Sequence, residues 1–224
     1  MASEQGGKRQ GPLPAGPHPG GPMMTFGAPL AQAPAAMILL HGRGATAANI
    51  LGLARQFDRP EIAYLAPQAA GNSWYPFSFL APLEANEPGL SSALAVIANL
   101  LEEIGKHEIP LEKTLLAGFS QGACLALEFA ARNPRRYGAL IGLSGGLIGP
   151  PGTPREYSGS LDGTPVFLGC GDQDSHIPLD RVEETTHVLH GLHAQVTQRI
   201  YPGMGHAINE DELTFVQQLL ETFV

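Results

Sequence analysis

Three features are scarce in this sequence of 224 residues: cysteine, long apolar runs and secretion signals. The two cysteines cannot form a disulfide framework at this length, and neither lies in the C-x-x-C spacing of a metal site. No apolar run approaches the roughly 18–20 residues that span a bilayer, and the N-terminus lacks the apolar segment of a secretion signal. We therefore expect a cytoplasmic protein without a membrane partner.

Positive charge is also scarce. Lys and Arg together number 13 against 21 Asp and Glu, so the formal net charge is −8. This balance lacks the basic surface that binding to a phosphate backbone requires, so we expect no nucleic-acid partner. Charged residues make up only 15% of the chain and hydrophobic residues 43%. Such a composition is typical of a compact globular protein with a full hydrophobic core.

Glycine and proline are abundant, with 28 and 20 residues, and they concentrate near the N-terminus. Most of residues 6–22 are one or the other, which is the composition of a flexible linker. No comparable segment, internal repeat or charge run divides the remainder of the chain. We therefore predict a flexible leader over residues 1–30 and a single domain over residues 31–224.

Short apolar segments alternate with amphipathic segments from residue 35 onward. Apolar strands that alternate with helices are typical of a parallel sheet covered on both faces, so we predict a doubly wound α/β domain. Two long connections, residues 67–88 and 144–163, are of a length that is usually functional. The predicted strands lie at about residues 35–40, 61–66, 113–118, 138–143, 164–169 and 194–201, and the helices at about 47–57, 90–107, 121–132, 179–192 and 211–223.

A G-x-S-x-G motif, Gly118 to Gly122, lies between a predicted strand and a predicted helix. In this context the serine occupies a sharp strand-to-helix turn with its hydroxyl exposed, so Ser120 is the candidate nucleophile. Ser144 lies in a second match to the same pattern. The residues after Ser144 are rich in glycine and proline and cannot begin a helix, so we interpret this match as a flexible strand exit.

A serine hydroxyl needs a base to take its proton, and the base needs a carboxylate to orient it. His206 lies in a glycine-rich turn after the last predicted strand, which makes it the candidate base. Asp172 and Asp174 both follow the preceding strand, and their spacing alone does not separate them as candidate acids. Both loops lie at the carboxyl edge of the sheet, where ligands bind in open α/β folds.

Acyl transfer also needs hydrogen-bond donors for the oxyanion. We predict that the backbone N–H groups of Gln121 and Arg43 supply them, because Gln121 follows the nucleophile and Arg43 lies in a glycine-rich loop after an early strand. The side chain of Arg43 has two interpretations: it binds a carboxylate or phosphate of the substrate, or it forms a salt bridge that holds the loop.

The two long connections and the acid loop supply candidate residues for the substrate pocket. Ordinary core packing remains the alternative role for each aromatic residue among them. Both cysteines are interpreted as small buried hydrophobic residues, and three histidines on one predicted helix as a solvated face. No cofactor and no metal is expected. The candidate pocket residues are Trp74, Tyr75, Phe77, Phe79, Leu147, Ile148 and His176.

Six short motifs, in this order along the chain, resemble the phospholipase/carboxylesterase family of α/β hydrolases, relatives of the acyl-protein thioesterases. The resemblance implies a minimal hydrolase fold without a separate cap domain, a triad of Ser120, Asp174 and His206, and the oxyanion positions Arg43 and Gln121. Relatives in this family commonly form homodimers. The motifs are Leu39 to Gly44, Leu65 to Gln68, Trp74 to Pro76, Gly118 to Gly122, Asp174 to Pro178 and Tyr201 to His206.

The function that follows is a serine carboxylesterase that hydrolyses short to medium acyl or aryl esters through an acyl-enzyme. A lysophospholipase or an acyl-protein thioesterase with the same triad is the alternative, and a catalytically silent binding protein of the same fold is a more distant one. The thioesterases usually read His-Gly-Leu-Gly-Asp in the oxyanion loop. This chain has Arg43 and Ala45 in that loop instead, which favours an esterase of small carboxylic esters.

Overall fold

The computed structural model describes residues 16–224. A seven-stranded sheet runs through the described part, in the order β1-β3-β2-β4-β5-β6-β7. All neighbouring strands are parallel except β1, which pairs with β3 in the antiparallel sense. The strands are β1 (Met23–Gly27), β2 (Ala36–Leu40), β3 (Ala63–Pro67), β4 (Thr114–Phe119), β5 (Ala139–Leu143), β6 (Pro165–Gly171) and β7 (Gln195–Tyr201).

Five helices cover the two faces of this sheet. Residues along a buried strand alternate between the faces: Ile38 packs with one apolar cluster and Met37 with the other. Helices α1 (Ala47–Gln56) and α5 (Glu210–Leu220) pack on one face, and α2 (Gly89–Lys106), α3 (Gln121–Arg132) and α4 (Leu179–Gly191) on the other. The predicted doubly wound α/β architecture with helices on both faces is confirmed.

The sheet begins earlier than the sequence predicts. Strand β1 falls within residues 1–30, for which we expected a leader, and it pairs along its whole length with β3. This edge strand is held mainly by backbone hydrogen bonds to β3. Met23 and Met24 are 45% and 44% exposed, so the strand has no buried apolar pattern from which the sequence could predict it. The domain therefore starts before residue 31, whereas the expectation for residues 1–15 lies outside the described residues.

The connection after β3 is long, as expected, and it is ordered by two short 3₁₀ turns, Ala70–Asn72 and Leu83–Asn86. The candidate site residues follow the carboxyl ends of β2, β4, β6 and β7. These four ends lie at the same edge of the parallel sheet. Among residues 16–224, no helix is both long enough and apolar enough to cross a bilayer.

Candidate active site

Ser120 occupies a sharp turn between β4 and α3. Its backbone has φ 55° and ψ −120°, a region that residues other than glycine rarely adopt. Such strain persists only where the surrounding structure holds it, and it is concentrated at functional sites. The turn directs the side chain of Ser120 into a cleft at the carboxyl edge of the sheet.

His206 lies beside Ser120 in the turn that follows β7. Its Nε2 is 2.8 Å from Ser120 Oγ, which is hydrogen-bond distance. The imidazole lies against the ring of Phe119, 4.8 Å away between centroids, and the ring of His176, 4.6 Å away. These two neighbours restrict the rotation of the imidazole, so Nε2 stays directed at the serine hydroxyl.

Asp174 holds the other side of this imidazole. Its Oδ2 lies 2.8 Å from His206 Nδ1, and its Oδ1 accepts hydrogen bonds from the backbone N–H groups of His176 and Ile177 at 2.8 and 3.0 Å. Burial alone would raise the pKa of Asp174, but these hydrogen bonds outweigh it and hold the pKa below its ordinary value. The carboxylate therefore remains ionised and can stabilise an imidazolium.

The structure separates the two acidic candidates. Asp172 Oδ1 accepts a hydrogen bond from the backbone N–H of Gly203 at 2.7 Å, so this carboxylate ties the loop after β6 to the turn after β7. It is Asp174, two residues later, that reaches His206. The structure thus brings Ser120, His206 and Asp174 together, an arrangement that can move a proton from a serine hydroxyl to an imidazole.

Ser144, in the second G-x-S-x-G match, lies in a different environment. It is completely buried, and its Oγ is directed to the backbone carbonyl of Ala207 at 3.5 Å. The segment after it continues without a helix as far as α4. Its φ of 50° shows that the positive backbone angle is shared by both serines and does not by itself identify a nucleophile.

Arg43 and Gln121, whose backbone N–H groups are the predicted oxyanion donors, both line the cleft beside Ser120. Gln121 is the first residue of α3, so its N–H has no acceptor within the helix. Among the described residues, neither N–H has a hydrogen-bond acceptor. These two donors can therefore bind an oxygen that develops negative charge next to Ser120, and the N-terminus of α3 adds a favourable dipole.

The side chain of Gln121 has a second role that the sequence does not reveal. Its Oε1 accepts a hydrogen bond from the backbone N–H of Trp74 at 2.9 Å, and its Nε2 donates to the carbonyl of Tyr75 at 2.9 Å. Since Gln121 follows the nucleophile directly, these bonds fix the long connection after β3 to the turn that carries Ser120. The identity of residue 121 as glutamine does not by itself predict these contacts, because they depend on where the connection after β3 lies in the fold.

The guanidinium of Arg43 contacts the same connection. Its Nη1 donates to Ser73 Oγ at 2.9 Å and to the carbonyl of Pro76 at 2.8 Å, and its Nη2 donates to the carbonyl of Phe77. The salt bridge that was one interpretation of this side chain is not formed with any described residue. Arg43 instead supports the rim of the cleft through hydrogen bonds to uncharged oxygens.

The cleft has a volume of about 600 Å³ and opens to solvent. Four of the seven predicted pocket residues line it: Tyr75, Phe77, Phe79 and His176. Most of the wall is apolar or aromatic, which suits the acyl or aryl part of an ester. Further lining residues, which the sequence did not single out, include Ala45, Pro76, Phe119, Cys124 and Ile177.

The prediction is wrong for Trp74, Leu147 and Ile148, which lie outside the cleft and are completely buried. The indole Nε1 of Trp74 donates to the carbonyl of His41 at 2.9 Å, so this residue supports the loop that bears Arg43. Leu147 and Ile148 belong to the apolar core on the face of α2, α3 and α4. Their segment folds down onto these helices, a tertiary contact that its apolar composition alone could not distinguish from a pocket wall.

The cysteines and the three histidines in and just after α4 follow their expected roles. Burial raises the pKa of Cys124 and of Cys170 to about 12, so both thiols remain protonated. His187, His190 and His193 lie on the exposed side of α4 and of the turn after it. Within residues 16–224 there is no group of three or more histidine, cysteine, aspartate or glutamate side chains placed to hold a metal ion.

Comparison with known proteins gives one family. A family model described as phospholipase/carboxylesterase matches residues 27–224 of the chain. The chain is 28% identical over 211 residues to acyl-protein thioesterase 1 of Eremothecium gossypii, with 83% of this chain and 88% of the relative covered. This match therefore extends over most of both proteins.

Two solved structures agree with this result. A phospholipase/carboxylesterase from Dyadobacter fermentans superposes with a TM-score of 0.87 at 44% identity, covering 92% of this chain and 99% of that one. The esterase PE8 superposes with a TM-score of 0.73 at 27% identity, covering 91% of this chain and 98% of that one. The likeness extends over nearly the full length of both proteins, with no large domain in either that this chain lacks.

Proposed function

This chain belongs to the phospholipase/carboxylesterase family and is a hydrolase acting on ester bonds, and from that premise we propose that Ser120, His206 and Asp174 are its catalytic triad. The observation that carries the proposal is the continuous pair of 2.8 Å contacts from Ser120 Oγ through the imidazole to Asp174 Oδ2. We propose further that the substrates are carboxylic esters with short to medium acyl chains or aryl groups.

The first half of the reaction forms an acyl-enzyme. Ser120 Oγ attacks the ester carbonyl carbon while His206 Nε2 takes the hydroxyl proton, and Asp174 stabilises the imidazolium that results. The carbonyl oxygen becomes an oxyanion that accepts hydrogen bonds from the N–H groups of Arg43 and Gln121. When the tetrahedral intermediate collapses, His206 returns the proton to the departing alcohol and leaves an acyl group on Ser120.

The second half of the reaction releases the acid. Water enters the open cleft, His206 removes one of its protons, and the hydroxide attacks the acyl carbon. The same two backbone N–H groups stabilise the second oxyanion. Collapse of this intermediate returns the proton to Ser120 and frees the carboxylic acid, so the enzyme ends each cycle in its starting state.

The dimensions and lining of the cleft support a substrate of modest size. A volume of about 600 Å³ lies in the middle of the range of small-molecule sites. Tyr75, Phe79 and Phe119 offer aromatic contact to an acyl or aryl group close to Ser120. Hydrolysis of an acyl-protein thioester, the activity in the name of the curated relatives, is the second candidate function.

A series of p-nitrophenyl esters from acetate to palmitate tests the proposal. We expect activity that peaks at short to medium chains and falls at palmitate, because the cleft holds only about 600 Å³ and opens to solvent. The Ser120→Ala variant should lose roughly 10³- to 10⁶-fold in kcat, and a fluorophosphonate probe should label the wild type on Ser120. Activity that rises steadily to palmitoyl substrates would favour the thioesterase.

Two matched variants serve as controls. Ser144→Ala removes the serine of the second G-x-S-x-G match and should retain activity and probe labelling. Asp172→Asn keeps an oxygen that can accept from Gly203 N–H, so it should also stay active, whereas Asp174→Asn should lose roughly 10³- to 10⁴-fold in kcat. Ester hydrolysis by Ser120→Ala at the wild-type rate, or equal losses in the two aspartate variants, would contradict the triad.

A further inference from the structure

Arg43 is an exposed cation at the mouth of the cleft that has no counter-ion among residues 16–224. No carboxylate among the described residues lies within 4.0 Å of its guanidinium, although acidic residues outnumber basic ones and the protein carries a net charge of −8. Five other described arginines do find such partners, whereas Arg55, Arg135 and Arg136, which lie away from the cleft, also have none among the described residues. Arg59, Arg132, Arg155, Arg181 and Arg199 each pair with an Asp or Glu side chain at 2.6–2.9 Å.

The charge of Arg43 is also uncompensated by the cleft itself. None of the described residues that line the cleft is an Asp or Glu. Asp174, the acid of the triad, is turned away behind His206, and its side chain is fully buried. The mouth of the cleft therefore carries a permanent positive charge in a protein that is otherwise strongly acidic, and an anion is attracted there more than anywhere else on the cleft wall.

The guanidinium is held in place with donors left over. Nη1 uses both of its N–H groups on Ser73 Oγ and on the Pro76 carbonyl, and Nη2 uses one on the Phe77 carbonyl. A guanidinium has five N–H groups, so one on Nη2 and the one on Nε have no acceptor among the described residues. The three bonds it makes orient the group beforehand, which lowers the entropic cost of binding an anion with the other two.

In the proposed reaction, residue 43 also contacts the reacting carbonyl, because its own backbone N–H is one of the proposed oxyanion donors. A charged group on the substrate, a few bonds from the ester, can therefore reach the guanidinium while the ester carbonyl contacts that N–H. Tyr75, whose ring centroid is 5.8 Å from the guanidinium carbon, also lines the cleft. Planar carboxylates match the geometry of paired guanidinium N–H groups.

We propose that the Arg43 side chain binds a carboxylate of the substrate and that the preferred substrates are esters that carry one. This inference rests on the proposed function and names the substrate class for the same site. Arg43 is then a specificity residue as well as a support of the cleft rim. The carboxylate takes no part in bond making, so its contact with Arg43 is present in both the bound substrate and the transition state.

Matched pairs of substrates test this. The first pair is the 4-nitrophenyl monoester of glutaric acid and its methyl ester, which has the same acyl chain without the charge. The second pair is 4-acetoxybenzoate and methyl 4-acetoxybenzoate, in which the charge or its absence is on the alcohol side of the ester. In at least one pair, the wild type should prefer the charged member by roughly three- to tenfold in kcat/KM, mostly through KM. The preference should weaken at 0.5 M salt.

Two variants separate the charge from the support of the rim. Arg43→Gln should bring the preference to one or below, while Arg43→Lys, which keeps the charge but not the planar fork, should retain part of it. Loss of rim support lowers the turnover of both members of a pair and leaves their ratio unchanged, so the ratio reports the charge alone. An equal fall for charged and neutral esters in Arg43→Gln, or no preference in the wild type, would overturn the proposal.

A binding measurement keeps this test separate from the triad. Isothermal titration of Ser120→Ala with monomethyl glutarate should give a weaker Kd, by roughly three- to tenfold, when Arg43→Gln is added. Failure of the proposed triad would show as full ester turnover by Ser120→Ala. Failure of the Arg43 proposal would show as equal binding of monomethyl glutarate with and without the Arg43 guanidinium.

Discussion

The exposure of Ser120 depends on the glycines on either side of it. A Cβ on Gly118 would meet the backbone of Gly122, and a Cβ on Gly122 would lie 2.7 Å from the carbonyl oxygen of His41 and closer still to that of Leu40. These obstacles are backbone atoms, which cannot rotate away as a side chain can. Residue 122 must therefore be glycine for α3 to pack this closely against β2 and β4.

Gly122→Ala should destabilise the protein and lower esterase activity. Overpacking of a tight site costs about 1–3 kcal/mol, and backbone shifts at this turn also displace Ser120 from His206. Gly52→Ala on α1 is the matched control, since a Cβ there meets no atom of the described residues within 4 Å. It should stabilise the helix by about 0.5–1 kcal/mol. Urea denaturation measures both, and similar free energies for the two variants would contradict the packing argument.

At the scale of elements, the segment before β1 is attached to the connection that forms the cleft rim. The Nε2 of His18 donates to the carbonyl of Trp74 at 2.9 Å, and its Nδ1 accepts from the backbone N–H of Ala70 at 3.1 Å. The backbone N–H of His18 donates to Ser92 Oγ on α2 at 3.1 Å. One buried imidazole thus joins the N-terminal segment, the rim connection and a helix.

His18→Ala should cost about 1–3 kcal/mol in the free energy of unfolding, because it leaves the buried carbonyl of Trp74 and the partly buried N–H of Ala70 without partners. His190→Ala, on the exposed side of α4, should change the stability by less than about 0.5 kcal/mol. Urea denaturation of the two variants and the wild type distinguishes them. If His18→Ala and the wild type have the same free energy of unfolding, the contacts of His18 before β1 contribute nothing to the stability of the fold.

At the scale of the whole molecule, buried groups of opposite type shape the dependence of stability on pH. Burial lowers the pKa of His18 and of His41 below the ordinary value of 6.5, so the stability they contribute is present above that value and is lost as the pH falls. Burial raises the pKa of Glu212 from 4.5 to about 7. Its contribution is present below 4.5 and is lost as the pH rises towards 7.

Glu212→Gln should therefore flatten the loss of stability at neutral pH. Between pH 5 and pH 8 the free energy of unfolding should fall by about 2 kcal/mol more in the wild type than in the variant. The reason is that only the wild type has a carboxyl group at this position, and the Oε1 of that group is buried without a partner among the described residues. Glutamine keeps an oxygen for the N–H of Asn209, so the cap of α5 remains. Glu210→Gln, exposed in the same turn, is the control.

Urea denaturation at the two pH values measures this difference. Parallel pH profiles of the wild type and Glu212→Gln would mean that Glu212 is ionised at no cost in the fold. A flattened profile in Glu210→Gln as well would assign the effect to the net charge of α5 rather than to burial.

The sequence by itself determined the α/β alternation, because each buried strand is a short apolar run and each helix carries its own periodic apolar face. It also pointed to Ser120 and His206, since the glycines of a tight turn and the place of a loop after a strand are local features. Strand β1 escaped prediction because an exposed edge strand is held by backbone pairing with β3, and that pairing leaves no pattern in residues 23–27.

The tertiary structure decided matters that depend on where separate segments meet. Asp172 and Asp174 are two residues apart, and only the approach of the loop after β6 to the turn after β7 places one of them on His206 and the other on Gly203. Leu147 is an apolar residue of a type that could line a pocket, but it packs in the apolar core with residues of helices that are distant in the chain. The charge of Arg43 is known from its residue type, whereas the lack of a counter-ion within the described part of the chain depends on how the cleft is assembled.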